Sequence, residues 1–172
     1  RQGIDRLRIV IVGGGEHFEH FRELAERLNR QAGEPYILLT GPRSDIARFC
    51  NACDVFFGVS RAALEAASCA RPVVLAGTAG YLGPLDESTL AAARETNLTC
   101  RGHDWPQQPC LAQDVTHLLE QGDGSFGREM VLREYSAERM ADDALRCYRA
   151  ALLCQKSARY DFLLSGYYGY GN

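Results

Sequence analysis

Apolar positions along this chain come in two alternating rhythms. Short β-branched runs are followed by longer stretches of helical spacing. Leu7-Arg8-Ile9-Val10-Ile11-Val12 is the first run and predicts a strand over 7–12. After Gly13-Gly14-Gly15, the positions Phe18, Phe21, Leu24, Ala25 and Leu28 keep helical spacing to about Arg30. Pro35 to Thr40 predicts a second strand, Gly41-Pro42-Arg43 a turn, and Ser44-Asp45 the cap of a helix over 45–52. Asp54-Val55-Phe56-Phe57 reads as a buried strand and Gly58 as the residue that lets the backbone turn. Ser60 stands where an N-cap belongs, ahead of the strong helix formers 61–67. Arg71-Pro72 stops that helix and opens a strand over 72–76. This alternation predicts an α/β chain with a Rossmann-like, doubly wound parallel sheet and flanking helices.

Beyond that strand, Gly77 to Pro84 carries glycines at 77, 80 and 83, which predicts a loop built for close backbone approach to a ligand. Asp86 caps a helix to about Thr96, Leu98-Thr99-Cys100-Arg101 reads as an edge strand, and 102–109 is turn material holding Trp105. Helices follow over 111–121, 126–135 and 136–154, the first broken by Gly122-Asp123-Gly124 and the last capped by Ser136. Residues 159–165 predict a final strand.

The chemistry suggested by this pattern sits at one place. A helix beginning at the C-terminal end of a parallel strand presents free N–H groups to an anion, so Gly58, Ser60, Arg61 and Ala62 are candidates for holding phosphate. The earlier glycine run is a weaker signal: it does not match G-x-G-x-x-G, and Glu16 and Glu19 at the helix start would repel a phosphate. His17 and His20 share a helix turn with those glutamates, and with no third ligand signalled elsewhere the group reads as a solvated first turn.

Composition narrows the classes. The chain has 172 residues, 46% hydrophobic and 24% charged, enough for one α/β domain with a real core. A net charge of −3 gives no electrostatic reason to expect nucleic acid. No apolar run approaches the ~20 residues that span a bilayer. The start at Arg1, running straight into a strand, reads as a piece of a longer protein. Seven cysteines, an odd number scattered through expected helices and strands, do not form a secreted disulfide framework, and a reducing cytoplasm suits them. Cys50 and Cys53 make a CxxC without a second pair at zinc spacing, so they read as small apolar residues on a helix.

Ala52-Cys53-Asp54-Val55-Phe56-Phe57-Gly58 and Leu64-Glu65-Ala66-Ala67-Ser68-Cys69-Ala70-Arg71-Pro72-Val73-Val74 resemble the C-terminal, donor-binding half of retaining GT-B glycosyltransferases. In that family two glutamates precede a helix end and strand of the form Cys-Gly-x-Pro-Val-Val. The resemblance covers residues 4–154 and implies binding of a nucleoside diphosphate sugar with no metal or other cofactor. It implies phosphate at the N-terminus of helix 61–67, ribose at Glu65, the base beside Gly41 and Arg43, and a base or sugar facing Tyr81. The acceptor, a glycan or lipid-linked molecule, would be held by a second domain. Phe57 takes the place of the first glutamate and cannot do a carboxylate's work. Residues 155–172 form a tail in which Ser165-Gly166-Tyr167-Tyr168-Gly169 resembles the start of polysaccharide pyruvyl transferases. Together these imply a fusion acting in cell-envelope polysaccharide synthesis, cytoplasmic or peripheral at the inner face of the membrane, in which the fragment alone is inactive. Two alternatives remain open: a non-catalytic scaffolding module, favoured by Phe57, and a sugar-nucleotide epimerase-like domain, which shares a serine followed by a glutamate before a Pro-Val strand.

Overall fold

A computed structural model describes residues 7–106 and 109–153. The chain divides into two compact units, Arg1–Val131 and Leu132–Asn172. In the first, β1 (Ile9–Ile11) and β2 (Ile37–Leu39) pair in parallel, Ile9 opposite Ile37 and Ile11 opposite Leu39. The crossover helix α1 (Phe18–Ala32) ends on Gly33, which takes the left-handed conformation a helix C-terminus favours, at φ 74°. Asn29 ties α1 to β2: its Oδ1 accepts from the N–H groups of Tyr36 and Ile37, and its Nδ2 donates to the carbonyl of Ile37.

A separate three-stranded sheet follows, in the order β3-β4-β5. Helix α2 (Ile46–Ala52) leads into β3 (Phe56–Gly58), α3 (Ser60–Ser68) crosses over, and β4 (Val73–Gly77) returns parallel to β3. β5 (Gly80–Pro84) then folds back antiparallel on β4. Here lies the core: Ala63, Ala66 and Ala67 of α3 and Val73, Val74 and Leu75 of β4 are all buried. Buried on both faces, β4 shows the continuous apolar run expected of a central strand. Helices α4 (Leu90–Glu95), α5 (Pro109–Gln121) and α6 (Ser125–Glu134) complete the element order to that point, and Leu98, Cys100 and Met130 add fully buried side chains. In the second unit α7 (Ala137–Leu153) is capped as expected, the Arg139 N–H donating to Ser136 Oγ at 3.2 Å.

The α/β class, with parallel strands flanked by helices, is as the sequence implied, but several details differ. The parallel strands lie in two sheets. The segment 77–84 is no loop: Gly77 ends β4, the chain turns at Thr78-Ala79, and Gly80–Pro84 folds back as β5. The run 98–101 is no edge strand. Asn97, Leu98 and Cys100 have φ of 51°, 56° and 60°, and the apolar side chains of Leu98 and Cys100 go into the core from a turn. The run Asp54 to Phe57 is not buried: Phe57 is 44% exposed. Asp45 does flank α2, but its carboxylate is drawn to Arg43 and makes no capping bond to the helix. Ser60 is not an N-cap: Val59 precedes the helix in extended conformation, and Ser60 is its first residue. The tail strand expected over 159–165 and the pyruvyl transferase likeness of residues 159–172 lie outside the described residues.

Two helix ends share one device. In α4 the N–H of Leu98 reaches the carbonyl of Ala93 and that of Asn97 the carbonyl of Arg94. In α3 Arg71 reaches Ala66 and Ala70 reaches Ala67. Both are Schellman closures, which need a left-handed residue just past the helix. Asn97 tolerates that conformation; Ala70, at φ 54°, is strained by its Cβ. Ala70→Gly is therefore expected to stabilise the protein by ~0.5–1 kcal/mol, the relief of strain exceeding the entropy glycine adds to the unfolded chain. Urea unfolding should show a higher midpoint at unchanged slope; a lower midpoint would show that the strain is not there.

Candidate functional site

The C-terminal end of β3 delivers the chain into α3 through a tight path. At Gly58 a Cβ would come within 2.6 Å of the Phe56 ring, so only glycine leaves that ring its place. Val59 is extended at φ −138°, and its side chain lies where a Cβ on Gly77 would fall 2.9 Å away. Ser60 then adopts φ 54°, a left-handed conformation that costs a non-glycine residue ~1–2 kcal/mol. Its N–H is held by the carbonyl of Leu98 at 2.9 Å. The next two N–H groups, of Arg61 and Ala62, have no partner among the described residues.

The side chains of α3 sort cleanly. Ala63, Ala66 and Ala67 are buried, while Arg61, Ala62 and Glu65 are exposed. Arg61 and Glu65 are one turn apart on the open face. The helix thus presents two amides without a partner among the described residues, the positive end of its dipole, a guanidinium and, one turn on, a carboxylate. That set suits an anion with hydroxyls beside it: amides and Arg61 for phosphate, Glu65 for the hydroxyls.

The other expected residues are placed differently. Gly41 is buried at φ 70°, and its carbonyl accepts from the Gly13 N–H at 3.1 Å, tying the ends of β1 and β2 together. Arg43 is exposed, but both its Nε and Nη2 donate to the Asp45 carboxylate at 2.8 Å, and its guanidinium lies 5.5 Å from the Phe49 ring centre. The hydrogen bond from Arg43 holds the Asp45 carboxyl below its usual range, and the same pair raises Arg43. Among the described residues no hydrogen bond or ion pair joins Gly41 or Arg43 to Ser60, Arg61 or Glu65.

Tyr81 is only 8% exposed. Its hydroxyl donates to Asp114 of α5 at 2.5 Å, and its ring packs 5.3 Å from that of Trp105. Burial first, then the Asp114 carboxylate, raises the hydroxyl's pKa well above its usual value. Trp105 in turn donates from Nε1 to the carbonyl of Gly77 at 3.1 Å. Asp114 went unnoticed in the sequence, and Leu98 and Trp105 were read there only as strand and turn residues. The available signal was an aspartate inside the apolar spacing of 111–121, which asks for a buried partner.

Among the described residues, no three His, Cys, Asp or Glu side chains converge as a metal site. Nor is any described helix long and apolar enough to cross a membrane.

The family profile described as glycosyl transferases, group 1, matches residues 1–121. No curated protein matches the chain. Among solved structures, that of Anabaena Alr3699/HepE in complex with UDP is similar at 19% identity and a TM-score of 0.38. The similarity covers 79% of this chain and 42% of that one.

Proposed function

The chain belongs to the group 1 glycosyl transferases, and on that premise we propose that it binds the nucleoside diphosphate sugar donor of such an enzyme at the N-terminal turn of α3. The observation that carries this reading is the pair of unpartnered amides, Arg61 and Ala62, beyond the strained Ser60, with Arg61 and Glu65 exposed on the same helix. A non-glycine residue held in a left-handed conformation at a strand-to-helix turn is the kind of strain that ligand sites keep. In the transfer step the leaving diphosphate gathers negative charge, and the dipole of α3 with Arg61 is oriented to meet it without a metal. Glu65 takes the ribose hydroxyls, while Gly41 and Arg43 at the end of β2 supply the base side. Engaging Arg43 would require exchange of its Asp45 pair. The acceptor, a glycan or lipid-linked molecule of the cell envelope, belongs to a further domain in this proposal, and the likeness of residues 159–172 to pyruvyl transferases suggests a fused second activity.

Titration with UDP, GDP and ADP by calorimetry should show binding of one of them. Glu65→Ala should weaken it by ~1.5–3 kcal/mol, the loss of a charge-assisted contact. No binding at millimolar nucleotide, or an unchanged affinity in Glu65→Ala, would refute the assignment.

One observation favours a second reading. Phe57 stands in the place of the first family carboxylate and is 44% exposed, so it faces outward with no acid to offer. A domain that binds nucleotide yet turns over no sugar donor, even in the full-length protein, would be a scaffold. Transfer or hydrolysis of a labelled UDP- or GDP-sugar by that protein would exclude it.

A further inference from the structure

Three of the described thiols gather along the seam where α2 meets α3. Cys50 lies on α2 and is 1% exposed; Cys53 caps the C-terminus of α2 and Cys69 that of α3, both half-buried. The two helix ends already touch on either side of that second pair. Asn51 Nδ2 lies 3.7 Å from Cys69 Sγ, and Arg71 Nη1 donates to the carbonyl of Cys53 at 3.4 Å. In this reduced form the Cys53 Sγ donates to the carbonyl of Cys50 at 3.2 Å, bonding to its neighbour's backbone rather than its sulfur. Arg71 Nε is buried without a hydrogen-bond partner, so its guanidinium charge is only partly engaged next to Cys53.

We propose that Cys53 and Cys69 are an oxidation site, closing to a disulfide that staples α2 to α3. The oxidant is a low-molecular-weight disulfide. The Cys69 thiolate attacks one of its sulfurs, forming a mixed disulfide and releasing one thiol. The Cys53 thiolate then attacks Cys69 Sγ, forming the internal bond and releasing the second thiol. Two protein thiols lose two protons and two electrons, and the small disulfide gains both. Cys50 is the poorer partner, because burial, with Cys69 next, pushes its thiol up to about 11. Burial raises Cys53 too, but there the Arg71 guanidinium pulls the other way.

The full chain, incubated with oxidised glutathione at alkaline pH, alkylated and cut with trypsin, gives the readout. Trypsin cuts after Arg48, Arg61 and Arg94 but not at Arg71, which Pro72 follows, so Cys50 and Cys53 lie on the peptide 49–61 and Cys69 on 62–94. The expected result is a disulfide-linked pair of these peptides, reversed by reductant, absent from Cys53→Ser and from Cys69→Ser, and unaffected in Cys110→Ser. The oxidised protein should melt several degrees higher than the reduced, since the bond closes a loop in the unfolded chain. Circular dichroism checks that each variant is folded. A link within 49–61, a linked pair that survives in Cys53→Ser, glutathione adducts alone, or a lower melting temperature on oxidation would each overturn the proposal.

Discussion

Gly80→Ala is expected to cost at least ~3 kcal/mol of stability, enough to unfold much of a marginally stable domain. A Cβ at this position would fall 1.9 Å from the carbonyl oxygen of His103 and 2.4 Å from that of Cys100. Neither is the yielding end of a flexible side chain. Both belong to the turn that brings Cys100 into the core, and that turn is itself fixed: Tyr81 N–H donates to the His103 carbonyl and His103 N–H to that of Cys100. Gly80 also has φ 149°, where an L-residue is strained whatever the space. Relief would require β5 to leave β4 or the turn to leave the sheet. Urea denaturation should show a large fall in midpoint, or a protein already partly unfolded in buffer. A midpoint within error of the parent would mean that the hairpin and the 100–103 turn are not packed as described.

The same glycine shows where sequence reading reached its limit. Local pattern identified what local chemistry determines: the helices α1, α3 and α5, the strand β4 behind Pro72, and the helix start beyond Gly58. A glycine, however, signals only that a backbone comes close. It does not say whose. At Gly80 the close partner is the chain's own turn, and the expected ligand loop became a strand. Leu98 and Cys100 were misjudged for a related reason. Apolar residues in a short run fit a strand, but burial can also be reached from a turn when preceding residues such as Asn97 accept a left-handed conformation. The partner of the Tyr81 hydroxyl, Asp114, lies 33 positions away, and no periodicity reveals that pairing. For the candidate site, Arg61 and Ala62 were legible as the start of a helix beyond Gly58, and Glu65 through the family likeness. The left-handed conformation of Ser60 was not legible, nor was the partner of its N–H, the carbonyl of Leu98 38 positions on.

Leu75→Ala is expected to destabilise by ~4–5 kcal/mol, at the upper end of what a buried leucine loses on truncation. The reason lies in register. Leu75 sits in the middle strand opposite Gly58 of β3 and Gly83 of β5, so across the sheet its row holds no other side chain. With 0% exposure, it is the row's own side chain, bordered by the Phe56 ring that covers Gly58. The alanine variant would leave three small residues in line, and a cavity that closes only if the Phe56 ring or a strand moves. Moving β3 would shift Gly58 to Ser60, the path that aims the first turn of α3, so the variant should also lose whatever nucleotide affinity the parent has. Leu75→Met, close in volume, should cost less than ~1.5 kcal/mol and keep that affinity. Thermal and urea unfolding of the two variants, with calorimetric titration of the folded fraction, separates the effects. Equal stability of the alanine and methionine variants would show that the row is filled by something other than Leu75.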